Sequence, residues 1–265
     1  MVPGKNNPHV KYLRRLGDRR FRDQEGKFLV EGIRFVEEAL HSTWPVEMLV
    51  YSQKITGEGR GQKLLRSASN RRIAMLEVEE PLFKELACTE TPQGILAVVR
   101  QRSNSLEELA DTGQPALLVL VDGVRDPGNL GAIIRSADAA GTDGVILLKG
   151  TADIYNPKTL RATMGSIFHL PVIQGCAAEA VMDYLEERGI KTVAGEPRAA
   201  TAVYECDLRV PCALAVGGEA AGAGETVLGR LSELARIPMP GRAESLNVAI
   251  SAAILLYEAV RQRQT

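Results

Sequence analysis

Metal-ligating and aromatic side chains are scarce in these 265 residues, which hold three His, four Cys, one Trp and only 5% aromatics. The cysteines Cys88, Cys176, Cys206 and Cys212 are scattered, and without paired C-x-x-C spacing the usual zinc and redox motifs are excluded. With only His9, His41 and His169 to add, no metal site is expected. No apolar run is long enough to span a bilayer, and the start shows no signal-peptide pattern. A cytoplasmic chain with reduced thiols and no membrane association is the simplest expectation. Common nucleotide and hydrolase signatures are missing too. Gly128-x-x-Gly131 is not G-x-G-x-x-G, Gly217-Gly218-Glu219 is not followed by Lys-Ser/Thr, and G-x-S-x-G does not occur. Dinucleotide, P-loop and serine-nucleophile chemistry are therefore poor fits.

What is present is ordinary in bulk and uneven in detail. The net charge is −1, with 45% hydrophobic and 25% charged residues, enough for one large domain or two modest ones. Residues 1–22 carry seven cations (Lys5, Lys11, Arg14, Arg15, Arg19, Arg20, Arg22) against one acid, Asp18. Such a run suits contact with phosphate, or equally a solvated helix face. Val10, Leu13 and Leu16 recur at i, i+3 and i+6, so the spacing predicts a basic amphipathic helix near 8–23, ended by Gly26. Strands are expected at 27–31, 46–51, 73–76 and 95–99, and helices at 33–40, 61–69 and 80–87. Their alternation predicts a small α/β domain over residues 1–102. The polar stretch 103–114, with one helical turn at 106–110, reads as a linker.

From residue 115 to 265 the pattern is more emphatic. The continuous apolar run from Ala116 to Val121 predicts a strand buried on both faces of a parallel sheet. Further strands are expected at 144–148, 172–173, 192–194 and 213–216. Helices are expected at 132–140, 157–167, 177–188, 226–235 and 246–262. The fold class is thus α/β, a parallel sheet covered by helices. Ligands of such sheets bind beyond the carboxyl ends of the strands, where three loops rich in Gly, Pro and polar residues fall: 122–131, 217–224 and 238–247. The last of them enters a nearly all-apolar helix, with Ser245 and Asn247 supplying capping side chains at the junction. A ligand-facing helix start and a simply capped core helix both fit that stretch.

Together these residues carry a family likeness. Asn129 and Arg135, then Gly217-Gly218-Glu219, then Ile237-Pro238-Met239 with Ser245-Leu246-Asn247 resemble the three signature motifs of the SpoU (TrmH-like) family. That family, part of the SPOUT superfamily, comprises RNA ribose 2′-O-methyltransferases that use S-adenosylmethionine. Phe28-Leu29-Val30-Glu31-Gly32 and Thr91-Pro92-Gln93-Gly94 are similar to the family's substrate-binding domain, which has a ribosomal-protein-like fold. The resemblance covers nearly the whole chain.

It implies a deep trefoil knot in the C-terminal domain, a rare exception to unknotted topology. It implies that S-adenosylmethionine is held by the backbone of Gly217, Gly218, Ile237, Met239 and Leu246. A homodimer is implied, with Arg135 and Asn129 facing a site shared between subunits. Arg135 would fix an RNA phosphate or lower the pKa of the ribose hydroxyl, since a guanidinium is a poor base. Asn129, Glu219, Ser245 and Asn247 would orient the ribose and the loops. Lys11, Arg14, Arg15, Arg19, Arg20 and Arg22 would supply sequence-blind contacts to RNA. The second motif departs from the usual Gly-Asn-Glu-Gly-x-Gly, with Gly218 and Ala220 replacing its Asn and second Gly and Gly222 retained. The separate N-terminal domain favours large-subunit ribosomal RNA as substrate. Methylation of tRNA, and RNA binding without catalysis, are the alternatives.

Overall fold

The computed structural model describes residues 3–57, 59–109, 115–218 and 222–264. They form two compact units, 1–102 and 103–265.

The first unit runs α1 (Pro8–Arg15), α2 (Arg19–Glu25), β1 (Lys27–Glu31), α3 (Ile33–His41), β2 (Val46–Tyr51), α4 (Gln53–Thr56), α5 (Gly59–Asn70), β3 (Ala74–Glu77), α6 (Glu80–Leu86) and β4 (Ile95–Arg100). Its four strands lie in the order β1-β4-β2-β3, antiparallel except for the parallel pair β2 and β3. The single basic helix expected over 8–23 is two helices. Asp18 breaks it, because its carboxylate accepts from the Phe21 amide at 3.0 Å and so caps a new helix. Nor is this segment a detachable arm. Val10, Leu13 and Leu16 are 0–1% exposed and pack with Phe21, Val50, Phe83, Leu96 and Val98 in the unit's core.

Arg22, expected on the RNA-facing surface, is only 4% exposed. Its guanidinium donates to the Gly17 carbonyl at 2.8 Å and the Leu16 carbonyl at 3.3 Å, holding the turn between α1 and α2. The two family-like segments of this unit serve each other. The Glu31 carboxylate accepts from the Cys88 amide at 2.6 Å and from the Thr89 hydroxyl. Gln93 Oε1 accepts from the Ile33 amide at 2.8 Å, capping α3, where Gly32 has no side chain to do so.

The second unit contains β5 (Leu117–Asp122), α7 (Pro127–Ala139), β6 (Gly144–Leu148), α8 (Pro157–Thr163), β7 (Val172–Cys176), α9 (Ala178–Glu187), β8 (Lys191–Gly195), β9 (Thr201–Ala202), β10 (Cys212–Gly217), α10 (Glu225–Leu228), β11 (Glu233–Arg236) and α11 (Val248–Arg263). Seven strands, all parallel, lie in the order β7-β6-β5-β10-β8-β11-β9. As the apolar run predicted, β5 and its neighbours β6 and β10 are buried almost throughout.

Strand β9 was not expected from the sequence, and three other differences are larger than a shift of a few residues at an element's end. Helix α7 begins at Pro127, five residues early, because the Asp126 carboxylate caps it by accepting from the Asn129 amide. The helix expected over 157–167 ends at Thr163, where Met164 and Gly165 adopt left-handed φ values of 53° and 106°. Residues 226–235, expected as one helix, split into the short α10 and the strand β11. Leu234 and Ala235 of β11 pair with Ala194 and Gly195 of β8, and that ladder outcompetes the local helical spacing. The described part of the expected linker is also ordered. Leu106 and Leu109 pack on the core of the second unit, and a Cβ at Gly144 would lie 2.5 Å from Leu109 Cδ2.

At its far end α11 is fastened by Gln262, which bonds the Leu208 amide and the Cys206 carbonyl, and above all by Arg263. Arg263 donates to the carbonyls of Pro115 at 2.6 Å, Ala116 at 3.0 Å, Leu208 at 2.9 Å and Val210 at 2.9 Å. This ties α11 to the segments that enter β5 and β10.

Leu13→Ala should destabilise the first unit by about 3 kcal/mol, the usual cost of a cavity at a fully buried leucine. Denaturant unfolding checks this, and a loss under about 0.5 kcal/mol would mean that α1 does not belong to the core.

Candidate active site

The site is built where the strands of the second unit end. After β10 the chain turns back on itself so closely that a Cβ on Gly217 would lie 1.9 Å from the carbonyl carbon of Gly222. No side chain larger than hydrogen fits there. The return is closed by the Gly222 amide donating to the Gly218 carbonyl at 2.9 Å, with Gly222 at φ +67°. Asp122, at the end of the neighbouring strand β5, holds this loop twice. Its carbonyl accepts from the Gly218 amide at 2.9 Å, and its carboxylate accepts from the Gly224 amide at 2.6 Å. Sequence reasoning missed Asp122. Its only signal was an acid ending an apolar strand at a carboxyl edge.

The segment from Ile237 to Asn247 leaves β11 and enters α11. Asn247 caps that helix, its Oδ1 accepting from the Ala249 amide at 2.9 Å and the Ile250 amide at 3.3 Å. Its Nδ2 donates to Asn129 Oδ1 on α7 at 2.9 Å. The Asn129 amide in turn donates to Asp126, whose other oxygen lies 2.9 Å from Lys158 Nζ. Those two donors, the ammonium first, hold the Asp126 carboxyl below the usual carboxylate range. The first and third motifs are thus fastened by a bond between residues 118 positions apart.

A cavity of about 410 Å³ opens between these segments, within the size range of small-molecule sites. It is lined by Gly217, Gly218 and Gly222 from the first loop and by Ile237, Met239, Ser245, Leu246 and Asn247 from the second. Gly195 at the end of β8 and Glu196 and Pro197 after it also line the wall, and this third contributor was not foreseen. Every residue expected to touch a cofactor through its backbone therefore faces one cavity. Its lining combines glycine backbone, aliphatic Ile237, Met239 and Leu246, and the Glu196 carboxylate, which fits a ligand with an apolar part and several polar groups.

The expected catalytic residues are distributed unevenly. Ser245 and Asn247 line this cavity. Asn129 and Asn247 line an adjacent groove between α7 and α11, which also contains Ala132, Ser136, Ile250, Ile254 and Tyr257. Arg135 is exposed on α7 and lies in the wall of neither. Glu219 and Ala220 fall outside the described residues. Among the described residues no group of His, Cys, Asp or Glu could hold a metal ion, and no helix is long and apolar enough to cross a membrane.

A parallel α/β unit with a glycine-walled pocket at its carboxyl edge, joined to a small α/β unit, is a class shared by known proteins. The model of the SpoU rRNA Methylase family matches residues 116–257, and that of the MRM3-like substrate binding domain matches residues 7–97. A 23S rRNA (uridine(2479)-2′-O)-methyltransferase of Streptomyces viridochromogenes is 37% identical over 254 residues, 94% of this chain and 87% of that protein. The 23S rRNA (guanosine(2553)-2′-O)-methyltransferase RlmP of Bacillus subtilis is 38% identical over 256 residues, 97% of each chain. The crystal structure of the SpoU methyltransferase AviRb with the cofactor AdoMet superposes with a TM-score of 0.88 at 34% identity, covering 97% of this chain and 99% of that one. This chain belongs to the SpoU rRNA methylase family.

Two substitutions probe the loop that walls the cavity. Gly217→Ala should cost about 3 kcal/mol in thermal unfolding, since backbone must move to admit the methyl group. Asp122→Ala should speed hydrogen exchange at the Gly224 amide while the amides of β6 stay protected. Unchanged exchange at Gly224 would show that the carboxylate does not hold the loop.

Proposed function

We propose that this protein transfers a methyl group from S-adenosylmethionine to a ribose 2′-hydroxyl of large-subunit ribosomal RNA. The observation that carries this reading is the cavity at the sheet's carboxyl edge, where the second and third motifs converge and from which Asn247 reaches Asn129 of the first. S-adenosylmethionine, when bound, supplies an activated methyl group on a sulfonium. The residues that would hold it are Gly217, Gly218, Ile237, Met239 and Leu246, with Glu196 added by the geometry. Full-length similarity to two 23S rRNA ribose methyltransferases supports ribosomal RNA as the substrate.

Ser245 and Asn247 stand at the cavity wall, where a hydroxyl and an amide can orient a ribose. Asn247 and Asn129 are already committed to each other and to the caps of α11 and α7. Their role is to fix the motif helices, with Ser245 left as the adaptable polar group. Arg135, exposed on α7, serves best as a fixed positive charge that binds RNA phosphate and favours the ionised hydroxyl. Glu219 keeps its proposed orienting role.

On the first unit, Lys11, Arg14, Arg15, Arg19 and Arg20 are exposed and suited to phosphate. Three of them also make contacts within the unit: Arg14 pairs with Glu85 at 2.6 Å, Arg19 with Asp23 at 3.7 Å, and Arg15 lies 3.8 Å from the Phe21 ring centroid. We take residues 1–102 as the RNA substrate-binding domain and 115–265 as the methyltransferase domain, threaded as the family's trefoil knot. A cytoplasmic location suits the free thiols, of which Cys206 is pushed up to about 11 by burial and by Glu233 and so stays unreactive.

We also infer a homodimer built on α11. Ile250, Ile254 and Tyr257 recur at i, i+4 and i+7 on α11 and are 53%, 36% and 53% exposed. Together with Ala132 and Ser136 of α7 they form a continuous apolar groove, the kind of face that a second copy covers. Ile254→Glu should convert a dimer to monomer in light scattering. A wild-type chain that is monomeric at micromolar concentration would overturn the inference.

Transfer of labelled methyl from S-adenosylmethionine to unmodified 23S rRNA, with tRNA in parallel, tests the main reading. Label should appear on rRNA ribose, and Arg135→Ala should lower the rate about a hundredfold or more. Arg135→Lys should recover activity if charge suffices, and stay inactive at every pH if bidentate geometry is required. Cofactor binding with no label on either RNA would favour the non-catalytic reading.

A further inference from the structure

We infer that the seam between α7 and α8 is a phosphate-binding strip that holds RNA beside Arg135, with Arg161 as its principal added contact. The inference rests on the methyl-transfer reading above and adds residues that lie in none of the three motifs.

Three contacts fix how α8 and the turn after it run along α7. At one end Asp126, the cap of α7, bonds Lys158 Nζ at 2.9 Å. In the middle a Cβ on Gly131 would lie 2.4 Å from the Thr159 carbonyl oxygen and 2.5 Å from Ala162 Cβ, so the two helices touch backbone to side chain. At the other end Asp138 lies 3.0 Å from His169 Nδ1. The two segments therefore run in the same direction, in register, with no room for a layer of side chains between them at Gly131.

On α7 the residues at this seam are Gly131, Arg135 and Asp138, spaced i, i+4 and i+7 and hence on one stripe. Arg135 thus stands at the α8 border of the helix, away from the stripe of Asn129, Ala132 and Ser136 that lines the α11 groove. On α8, Lys158 and Arg161 are one turn apart and exposed. Arg161 has no ion-pair partner among the described residues, and neither do Arg135 or Arg125, the exposed residue just before the α7 cap. The acids at the seam, Asp126 and Asp138, are engaged by Lys158 and His169.

Arg135 and Arg161 are two exposed, unneutralised guanidiniums on adjacent, closely packed helices. Such donors suit phosphate oxygens, which accept bidentate hydrogen bonds, better than they suit a base edge or an apolar surface. The packing at Gly131 fixes the two helices that carry them, and guanidiniums so placed would position a nucleic-acid backbone without reading its sequence.

Binding of wild type, Arg161→Gln and Arg161→Glu to an unmodified 23S rRNA transcript, by filter retention between 50 and 200 mM salt, tests this. Binding of S-adenosylmethionine by calorimetry runs alongside. Arg161→Gln should lower the salt slope by about one, and Arg161→Glu should weaken RNA binding roughly tenfold or more. Cofactor affinity should stay within about twofold of wild type, since Arg161 lies outside the cavity wall. Should the charge reversal fail to fold by circular dichroism, the neutral variant carries the test. Folded variants with wild-type RNA affinity and slope would overturn the strip while wild-type methylation leaves the main reading standing. A wild-type chain that binds cofactor but neither binds nor methylates RNA overturns the main reading, and this one with it.

Discussion

The geometry of the cavity depends on how closely the backbone after β10 can return on itself. At Gly217 the approach is shorter than any side chain allows, and at Gly222 the chain needs a left-handed φ. Glycine at the first position answers a steric demand of the loop itself, before any ligand is considered. The Asp122 carboxylate then holds the returning chain by satisfying the Gly224 amide from the adjacent strand. Because β5 and β10 are hydrogen-bonded neighbours in the interior of the sheet, this constraint is anchored in the core of the unit.

Helix α7 is the element through which the parts communicate. Leu130, Ile133, Ile134 and Ala137 are fully buried, so the helix cannot roll. That leaves two sides with separate duties. One carries Asn129 toward α11 and the capped entry of the cavity; the other carries Arg135 along α8. A helix that has to serve both sides needs its start fixed exceptionally well. Asp126 does this, capping the helix while bonding Lys158 across to α8. The basic segment at the beginning of the chain combines roles in a similar way, with apolar residues in the core of the first unit and cations on the outside. There Arg22 shows that a cation in a basic run can be spent on backbone carbonyls.

Much of this was legible in the sequence because periodicity and capping are local. Most strands and helices follow from apolar spacing over windows of ten residues or so, and the parallel sheet follows from continuous apolar runs. The three motif loops could be placed at the carboxyl edge, and the residues expected to touch a cofactor do share one cavity. Local spacing failed where partners lie far along the chain. Residues 233–236 had helical neighbours, yet pairing with β8 and the short β9 made them a strand. Asp18 and Asp126 moved helix starts by capping, a signal written in single residues that apolar periodicity overrides when read alone.

The sequence by itself determined the class of fold, most of its elements, the two-part organisation and the family, because these depend on patterns of residue type that survive without coordinates. Only the tertiary structure decided which polar groups meet. Asp122 and Gly224 are 102 positions apart, Asn129 and Asn247 are 118 apart, and α7 meets α8 because Gly131 lets the two helices touch. Such pairings depend on strand order and on close clearances between backbones, and neither quantity is encoded in any stretch of sequence short enough to be read locally.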